Sequence, residues 1–457
     1  ETKNKEAKKE SGDETTEVDK NTETEKEDEK TTEKSEEKDN EKTGKPEKSE
    51  EKVEEKSEGN EKPEEEKDYG DSLFLLPDIP SIIVYAGEDH PYQIQTASIY
   101  KLIEKATTPI KEFTKEYNEF ISVFFMTYRS FTTAELVLEL IIKRCKGPEN
   151  EEDKEKVDMD VVREGVCKTL VHWFTHHYRD FSGCKPLAKE LEDFIDWMAK
   201  EYPPCKGNFV GYLQKMYAKK SGKGTYTSLF DSGIMVDKDS CPEPIVPKSW
   251  NKVTFVDLDE IEIARQLSIA EHHIYAEIQP VELQELAWSK PKLKHLAPRL
   301  LSMIQQFNQF SNAISSLVVS CPKIKLRKKL VEKLVKIAEQ LIEMNSFNMV
   351  MAIFSAFQNA AVHRLNHTFG GVNKRTQESI ERIENVLSSR NSYKTYRDML
   401  NQVKPPCIPF LGVYLSDLTF IDEGNPKIVK GLVNFRKKQL EYGVIVQVLR
   451  FQGQAYQ

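Results

Sequence analysis

Asp422 and Glu423 end an apolar run, Phe410 to Ile421, which opens behind Pro405, Pro406 and Pro409 and closes on Gly424-Asn425-Pro426. Prolines stop a preceding helix and Gly-Asn-Pro ends one, so the run reads as a stiffly mounted helix with a carboxylate at its far end. The same residues suit a hydrophobic core helix with a glycine cap, and residue types alone leave both readings open. Other constellations carry less chemistry. His172, His176 and His177 stand at helical spacing, two of them four apart as in zinc helices. No Glu completes the His-Glu-x-x-His arrangement, and Trp173, Phe174 and Tyr178 surround them, so they read as helix histidines and no metal is expected. Gly222-Lys223-Gly224-Thr225 lacks the full phosphate-loop pattern, and no Gly-x-Ser-x-Gly elbow occurs, so no cofactor or nucleotide of its own is expected. No acid, base or nucleophile pair stands at catalytic spacing, which disfavours bond chemistry. The basic clusters Lys323 to Lys329 and Arg436-Lys437-Lys438 lack interleaved aromatics and read as solvated helix faces.

Charge divides the chain. The first 67 residues hold 27 acidic and 16 basic side chains, no aromatic, and only Ala7, Val18 and Val53 as apolar residues. Such a segment buries too little surface to offset its ordering entropy, so residues 1–67 are expected to be a disordered tail. Residues 68–457 hold 48 acidic and 50 basic side chains, so the remainder is almost neutral and no nucleic-acid partner is expected. Seven scattered cysteines without a Cys-x-x-Cys pair suit reduced thiols in a cytosolic protein. Apolar runs fall far short of the ~20 residues a spanning helix needs. The chain begins with Glu rather than Met, and a fragment is expected.

The elements that must position the apolar run are helices. After an irregular segment, 68–94, apolar residues recur at three- and four-residue spacing: Ile99, Leu102 and Ile103, then Phe113, Tyr117, Phe120 and Val123. Thr132 or Thr133 can cap the helix through Leu136 and Ile141. This first helical domain covers 95–220, and a Gly- and Pro-rich linker covers 221–249. Within 250–457, Asp257-x-x-Glu260 resembles a capping box before the stripe Ile263, Leu267, Ala270 and Ile274. Stripes follow over 300–317, 326–343, 347–357, 377–387 and 393–403. A last helix, Ile428 to Phe451, should return antiparallel to the Phe410 helix through the Glu423-Gly424-Asn425-Pro426 turn. The fold class is all-α, two helical domains with a protruding antiparallel helical hairpin in the second, and no strand of useful length is expected.

Several segments carry a family resemblance: Glu262 to Ser268, Ile278 to Leu283, Trp288, Met303-Ile304 with Phe307-Asn308, Asn345-x-Phe347-Asn348, Tyr393-x-x-Tyr396-Arg397, and all of Pro405 to Pro426. Residues 250–457 resemble the catalytic domain of Ras-type guanine-nucleotide exchange factors. Residues 95–220, most clearly Phe125 to Thr133, resemble the Ras exchanger motif that precedes it. The resemblance implies a protein that binds a Ras-family small GTPase, of Ras, Rap or Ral type, and lets its GDP leave without making or breaking a bond. It implies a GTPase-binding pocket of Ile304, Met351, Tyr393, Phe410 and the edge residue Gln358. It also implies a hairpin helix whose Ser416, Thr419 and Glu423 act on the magnesium and phosphate region. Membrane contact is expected only indirectly, through a lipidated GTPase, with the protein cytoplasmic and recruited to the membrane. Two positions depart from the family pattern: Thr419 is smaller than the aliphatic of a familiar member, and Gln358, with Asn359 beside it, replaces a pocket-edge Asn. They support the competing reading, an exchange-inactive adaptor of the same fold.

Overall fold

A computed structural model describes residues 74–87, 90–148, 151–202, 211, 212, 215 and 241–456. The expected charged tail, the last part of the first helical domain and most of the linker lie outside the described residues.

Several helices begin where apolar periodicity meets a side-chain cap. Two short strands, β1 (Ile83–Tyr85) and β2 (Ile94–Ala97), lead into α1 (Ile99–Thr107), capped by Ser98. There follow α2 (Thr114–Thr127), α3 (Ala134–Lys146), α4 (Glu151–Lys156), α5 (Met159–His176), α6 (Arg179–Ser182) and α7 (Lys185–Glu201). Of the two candidate caps for α3 it is Thr133, accepting from Leu136 N. One core gathers Phe120, Phe124, Phe125, Tyr128, Trp173 and Phe181, all buried.

After the linker come α8 (Glu260–Tyr275), α9 (Pro298–Val319), α10 (Ile324–Glu343), α11 (Phe347–Gln358), α12 (Ala360–His363), α13 (Asn366–Phe369), α14 (Lys374–Val386), α15 (Arg390–Leu400) and α16 (Leu411–Gly424). The expected capping box is displaced. Thr254 and Asp257 close a box around the 3-10 turn Phe255–Asp257, while Asp259 caps α8 by accepting from Ile261 N and Glu262 N. A second core forms where α8, α10 and α11 bury Ala264, Leu334, Leu341, Phe347 and Ile353 around the root of α16. Among the described residues no helix is long and apolar enough to cross a membrane.

The return path corrects the expected hairpin. After α16 the chain makes a β-hairpin, β3 (Ile428–Val429) and β4 (Leu432–Asn434), before α17 (Phe435–Leu449). Lys430 and Gly431 both have positive φ, 50° and 80°, as a two-residue turn of the primed kind requires. Ile428, Leu432 and Phe435 are spaced at i, i+4 and i+7, which imitates a helix in the sequence. Strands of two and three residues are too short to show alternation. β4 pairs antiparallel with β2, giving the sheet order β1-β2-β4-β3 and tying the segment before α1 to the root of the return helix. The all-α class thus holds with one small sheet added.

Candidate functional site

Helix α16 starts abruptly because its root is tied on three sides. Phe410 N donates to Tyr396 Oη at 2.8 Å, and Leu411 N donates to Asn348 Oδ1 at 3.4 Å. Phe347 N donates to Ile408 O and Ile408 N to Asn345 O, each at 2.9 Å, so the segment before α16 pairs with the α10–α11 corner as a single parallel bridge. Asn345 adopts φ 58°, a left-handed conformation that Asn tolerates, and its amide donates to Pro406 O. Under this joint lies fully buried Glu271, whose carboxylate accepts from Asn348 Nδ2 at 2.7 Å. Burial pushes Glu271 up to about 8, against the opposing pull of the Asn348 and Ser346 hydrogen bonds.

An aromatic cluster lies at this root. The Phe410 ring stands 6.2 Å from Tyr393 and 6.0 Å from Phe307 between centroids. It folds over its own helix, and a methyl on Gly412 would fall 2.3 Å from its Cζ, so glycine leaves the space the ring occupies. Ile304, Met351, Tyr393 and Phe410 are all half-buried against the second core. Gln358 stands exposed at the end of α11, and Asn359 is committed to capping α12 through Ala361 N. Phe307 is not among the expected pocket residues, although Phe307-Asn308 is one of the segments that carry the family resemblance. Tyr393 closes a left-handed run, Asn391, Ser392 and Tyr393 having φ 52°, 55° and 62°. Arg397 holds that run: its Nε donates to Ser392 O, and its two terminal nitrogens grip the Asp417 carboxylate, each at 2.8 Å.

On the exposed face of α16, the three expected residues separate. Ser416 Oγ donates to Gly412 O and Thr419 Oγ1 to Leu415 O, so both hydroxyl protons are spent on their own helix. Glu423 is exposed. Phe420 is 70% exposed, the most exposed large hydrophobic among the described residues, and with Ser416 and Glu423 it occupies spacing i, i+4, i+7 on one face. Its exposure is invisible to pattern reading, because an aromatic inside an apolar run looks like core. Asp422, by contrast, points inward. Burial would raise its carboxyl, but hydrogen bonds from Lys437 (2.7 Å) and Lys290 (3.1 Å) outweigh this and hold it below its ordinary value. Lys437 and Lys438 are each 1% exposed, and Lys438 pairs with Glu441 at 3.0 Å. That overturns the reading of Arg436-Lys437-Lys438 as a solvated face: two of the three lysine and arginine side chains are internal struts of the hairpin. Of the two adjacent acids, only Glu423 is left facing outward.

With this geometry in view, the comparisons with known proteins decide the family. A model described as the RasGEF domain matches residues 262–439, and one described as the RasGEF N-terminal motif matches residues 93–194. The chain belongs to the RasGEF family. It is similar to Ras guanine nucleotide exchange factor J of Dictyostelium discoideum, 34% identical over 384 residues, covering 81% of this chain and 45% of the relative. It is also similar to factors I and A of the same organism, at 34% and 33% identity, covering 80% and 77% of this chain and 43% and 57% of the relatives. The chain thus spans about half the length of these curated relatives.

Much of what marks the RasGEF sequence is structural. In the RasGEF N-terminal motif, Tyr128 Oη, Arg129 and Trp173 Nε1 converge on Asp180, locking α6 under α2. In the RasGEF domain, Glu282 is buried and accepts from Arg299 N and Leu300 N, which caps α9 and so fixes Ile304 and Phe307. The histidines of α5 are packing groups: His172 and His176 stack at 4.3 Å. Burial, helped by the neighbouring imidazoles, pushes His172 down to about 3, so it stays neutral near pH 7. Among the described residues no three His, Cys, Asp or Glu stand together as a metal-ligand set.

Proposed function

We propose that this RasGEF chain promotes GDP release from a Ras-family small GTPase, with α16 as the element that enters the nucleotide site and the Phe307–Tyr393–Phe410 pocket as its anchor. The observation that carries this reading is the contrast between the two faces of α16. One face is fixed by buried contacts and by the Asp422–Lys437–Lys290 struts, while the other presents Phe420 and Glu423 outward. A helix so mounted can push on a partner without yielding itself.

Two kinds of physical work are divided along it. An apolar side chain of the GTPase's second switch enters the half-buried pocket, where a few desolvated anchors supply most of the affinity. Glu423, which makes no hydrogen bond or ion pair among the described residues, brings a carboxylate toward the cationic groups that hold the phosphates. A charge pair at ~4 Å is worth about 4 kcal/mol at an effective dielectric near 20, and every ~1.4 kcal/mol is tenfold. One carboxylate can therefore change nucleotide affinity on the order of a thousandfold. The chain itself performs no bond chemistry in this scheme. The test is release of fluorescent GDP from Ras-, Rap- and Ral-type GTPases with excess unlabelled nucleotide. Acceleration on at least one is expected. Stable binding of a nucleotide-free GTPase with no acceleration on any would make the chain an adaptor.

A further inference from the structure

The corner between α9 and α10 combines features that neither the fold nor the exchange site uses. Residues 322–326 are consecutively exposed, although four of them are Lys323, Ile324, Lys325 and Leu326. Ile324 is 40% and Leu326 50% exposed, and Val319 and Leu317 at the end of α9 are also exposed. Charge is equally unbalanced. No Asp or Glu occurs between Glu285 and Glu332. Lys323, Lys325, Lys328 and Lys329 enter no ion pair among the described residues. Packed against this corner, α13 and the start of α14 add His367, Lys374 and Arg375, and Lys328 Nζ lies against Gly371. The nearest acids are occupied: Glu332 accepts from Asn373 N, and Glu378 faces Lys374.

The corner is also firm. Arg327 turns inward, donating to Thr368 Oγ1 at 2.9 Å and to Cys321 O at 3.0 Å. It is the one cation of the cluster the fold employs. The lysines gain nothing from their position, because cations near the start of a helix are disfavoured by its dipole. The contrast with Lys437 and Lys438, both buried and paired, is plain.

We infer that this corner docks directly on an anionic lipid surface. The chemistry separates that partner from a protein or a nucleic acid. Protein interfaces are enriched in aromatics and Arg and depleted in Lys, whereas this patch exposes mainly lysines and aliphatics, with Arg327 turned inward and Arg375 its exposed arginine. Nucleic-acid surfaces interleave aromatics for stacking, and none stands here. Lysine is a point charge without fixed hydrogen-bond geometry, suited to a diffuse layer of headgroups. Ile324 and Leu326, exposed among the lysines, are placed to enter the boundary between headgroups and acyl chains. The sequence alone pointed to membrane contact only through the GTPase; the exposed aliphatics among unpaired lysines change that.

The experiment is co-sedimentation of the full chain with phosphatidylcholine vesicles, with and without phosphatidylserine, over a range of salt. No GTPase is needed, so failure here leaves the exchange reading untouched. Binding only to the phosphatidylserine vesicles is expected, weakening as salt shortens the reach of charge. The double variant Lys323→Glu/Lys325→Glu should lower partitioning by on the order of tenfold or more. Ile324→Ser/Leu326→Ser should lower it severalfold while keeping the preference for anionic lipid. Thermal unfolding should be unchanged in both, because the altered side chains are exposed. Equal binding to neutral and anionic vesicles, no binding to either, or native binding by both variants overturns the proposal. So does a result in which the variants bind vesicles normally but lose affinity for a soluble GTPase, which would make the corner a protein contact.

Discussion

At the scale of single residues, anchoring and nucleotide release should separate. Phe410 lies in the pocket with Tyr393 and Phe307, so Phe410→Ala is expected to cost roughly 2 to 4 kcal/mol of affinity for the nucleotide-free GTPase. Glu423 is exposed and contributes little buried area, so Glu423→Ala should keep most of that affinity while slowing GDP release at saturating exchange factor. A pull-down with stripped GTPase beside stopped-flow release measures both. A normal release rate from Glu423→Ala would leave steric displacement, with Phe420 as the bulk in place of the small Thr419, to do the work. Glu271 offers a second residue-scale outcome, in stability. Unfolded, it ionises near the ordinary 4.5; folded, at about 8. Below the lower value both states are protonated and pH has no effect. Between the two, the unfolded chain has lost a proton that the folded chain keeps, so stability falls as pH rises, and above the upper value the full penalty remains. Glu271→Gln retains an acceptor for Asn348 and cannot ionise. It should exceed the native chain in urea-denaturation stability at pH 8 by on the order of 4 kcal/mol, with the gap closing toward pH 4.5. A gap that does not vary with pH would show that Glu271 is not the titrating group.

At the scale of elements, the Arg397–Asp417 clamp joins α15 to α16 and holds the left-handed run that delivers Tyr393. Such a run of non-glycine residues costs of order 1 kcal/mol or more per residue, and it persists only where neighbours impose it. Arg397→Lys keeps the charge but loses the fork that reaches Asp417 and Ser392 together. Its cost in global stability should be small, since the pair is partly exposed and such pairs are worth about 1 kcal/mol or less. The expected signature is a severalfold rise in the apparent Michaelis constant for the GTPase with little change in thermal midpoint. Unaltered exchange kinetics in Arg397→Lys would show that the clamp does not position Tyr393. Elements also mark what the sequence could and could not reveal. Long helices were legible from apolar spacing, and at α3 the Thr133 cap agrees with it. The β3–β4 hairpin was not, because Ile428, Leu432 and Phe435 imitate helical spacing and only the Lys430-Gly431 turn breaks it. The root of α16 was legible as prolines and apolar residues. The separate fates of Asp422 and Glu423 were not, since neighbouring acids look alike until Lys290 and Lys437, far apart in sequence, arrive beside one of them.

At the scale of the whole molecule, α17 belongs to both cores. Its first residue, Phe435, and the adjoining Val433 are buried in the N-terminal core, while Ile445, Val448 and Leu449 are buried in the second. Phe435 packs against Phe120 at 5.3 Å, β4 pairs with β2, and Gln284 donates to Met126 O. The N-terminal helices therefore grip the hairpin at the end opposite to the pocket, close to where Asn434 caps α17 and bonds back to Pro426 O. Two antiparallel helices without that grip bury too little to keep one angle against a GTPase. A chain beginning at Lys248 loses the partners of Phe435 and Val433, about 3 to 6 kcal/mol of apolar burial. It should be less stable and release GDP poorly while still binding through its pocket. Should that shortened chain fail to fold, Phe120→Ala in the full chain asks the same question, because it removes the ring facing Phe435 and leaves every residue of the RasGEF domain in place. The expected result is a slower release rate at saturating exchange factor, with affinity for stripped GTPase near native. If Phe120→Ala releases GDP at the native rate despite the 3 to 5 kcal/mol that such a truncation typically costs, the N-terminal helices stabilise the chain without setting the angle of α16.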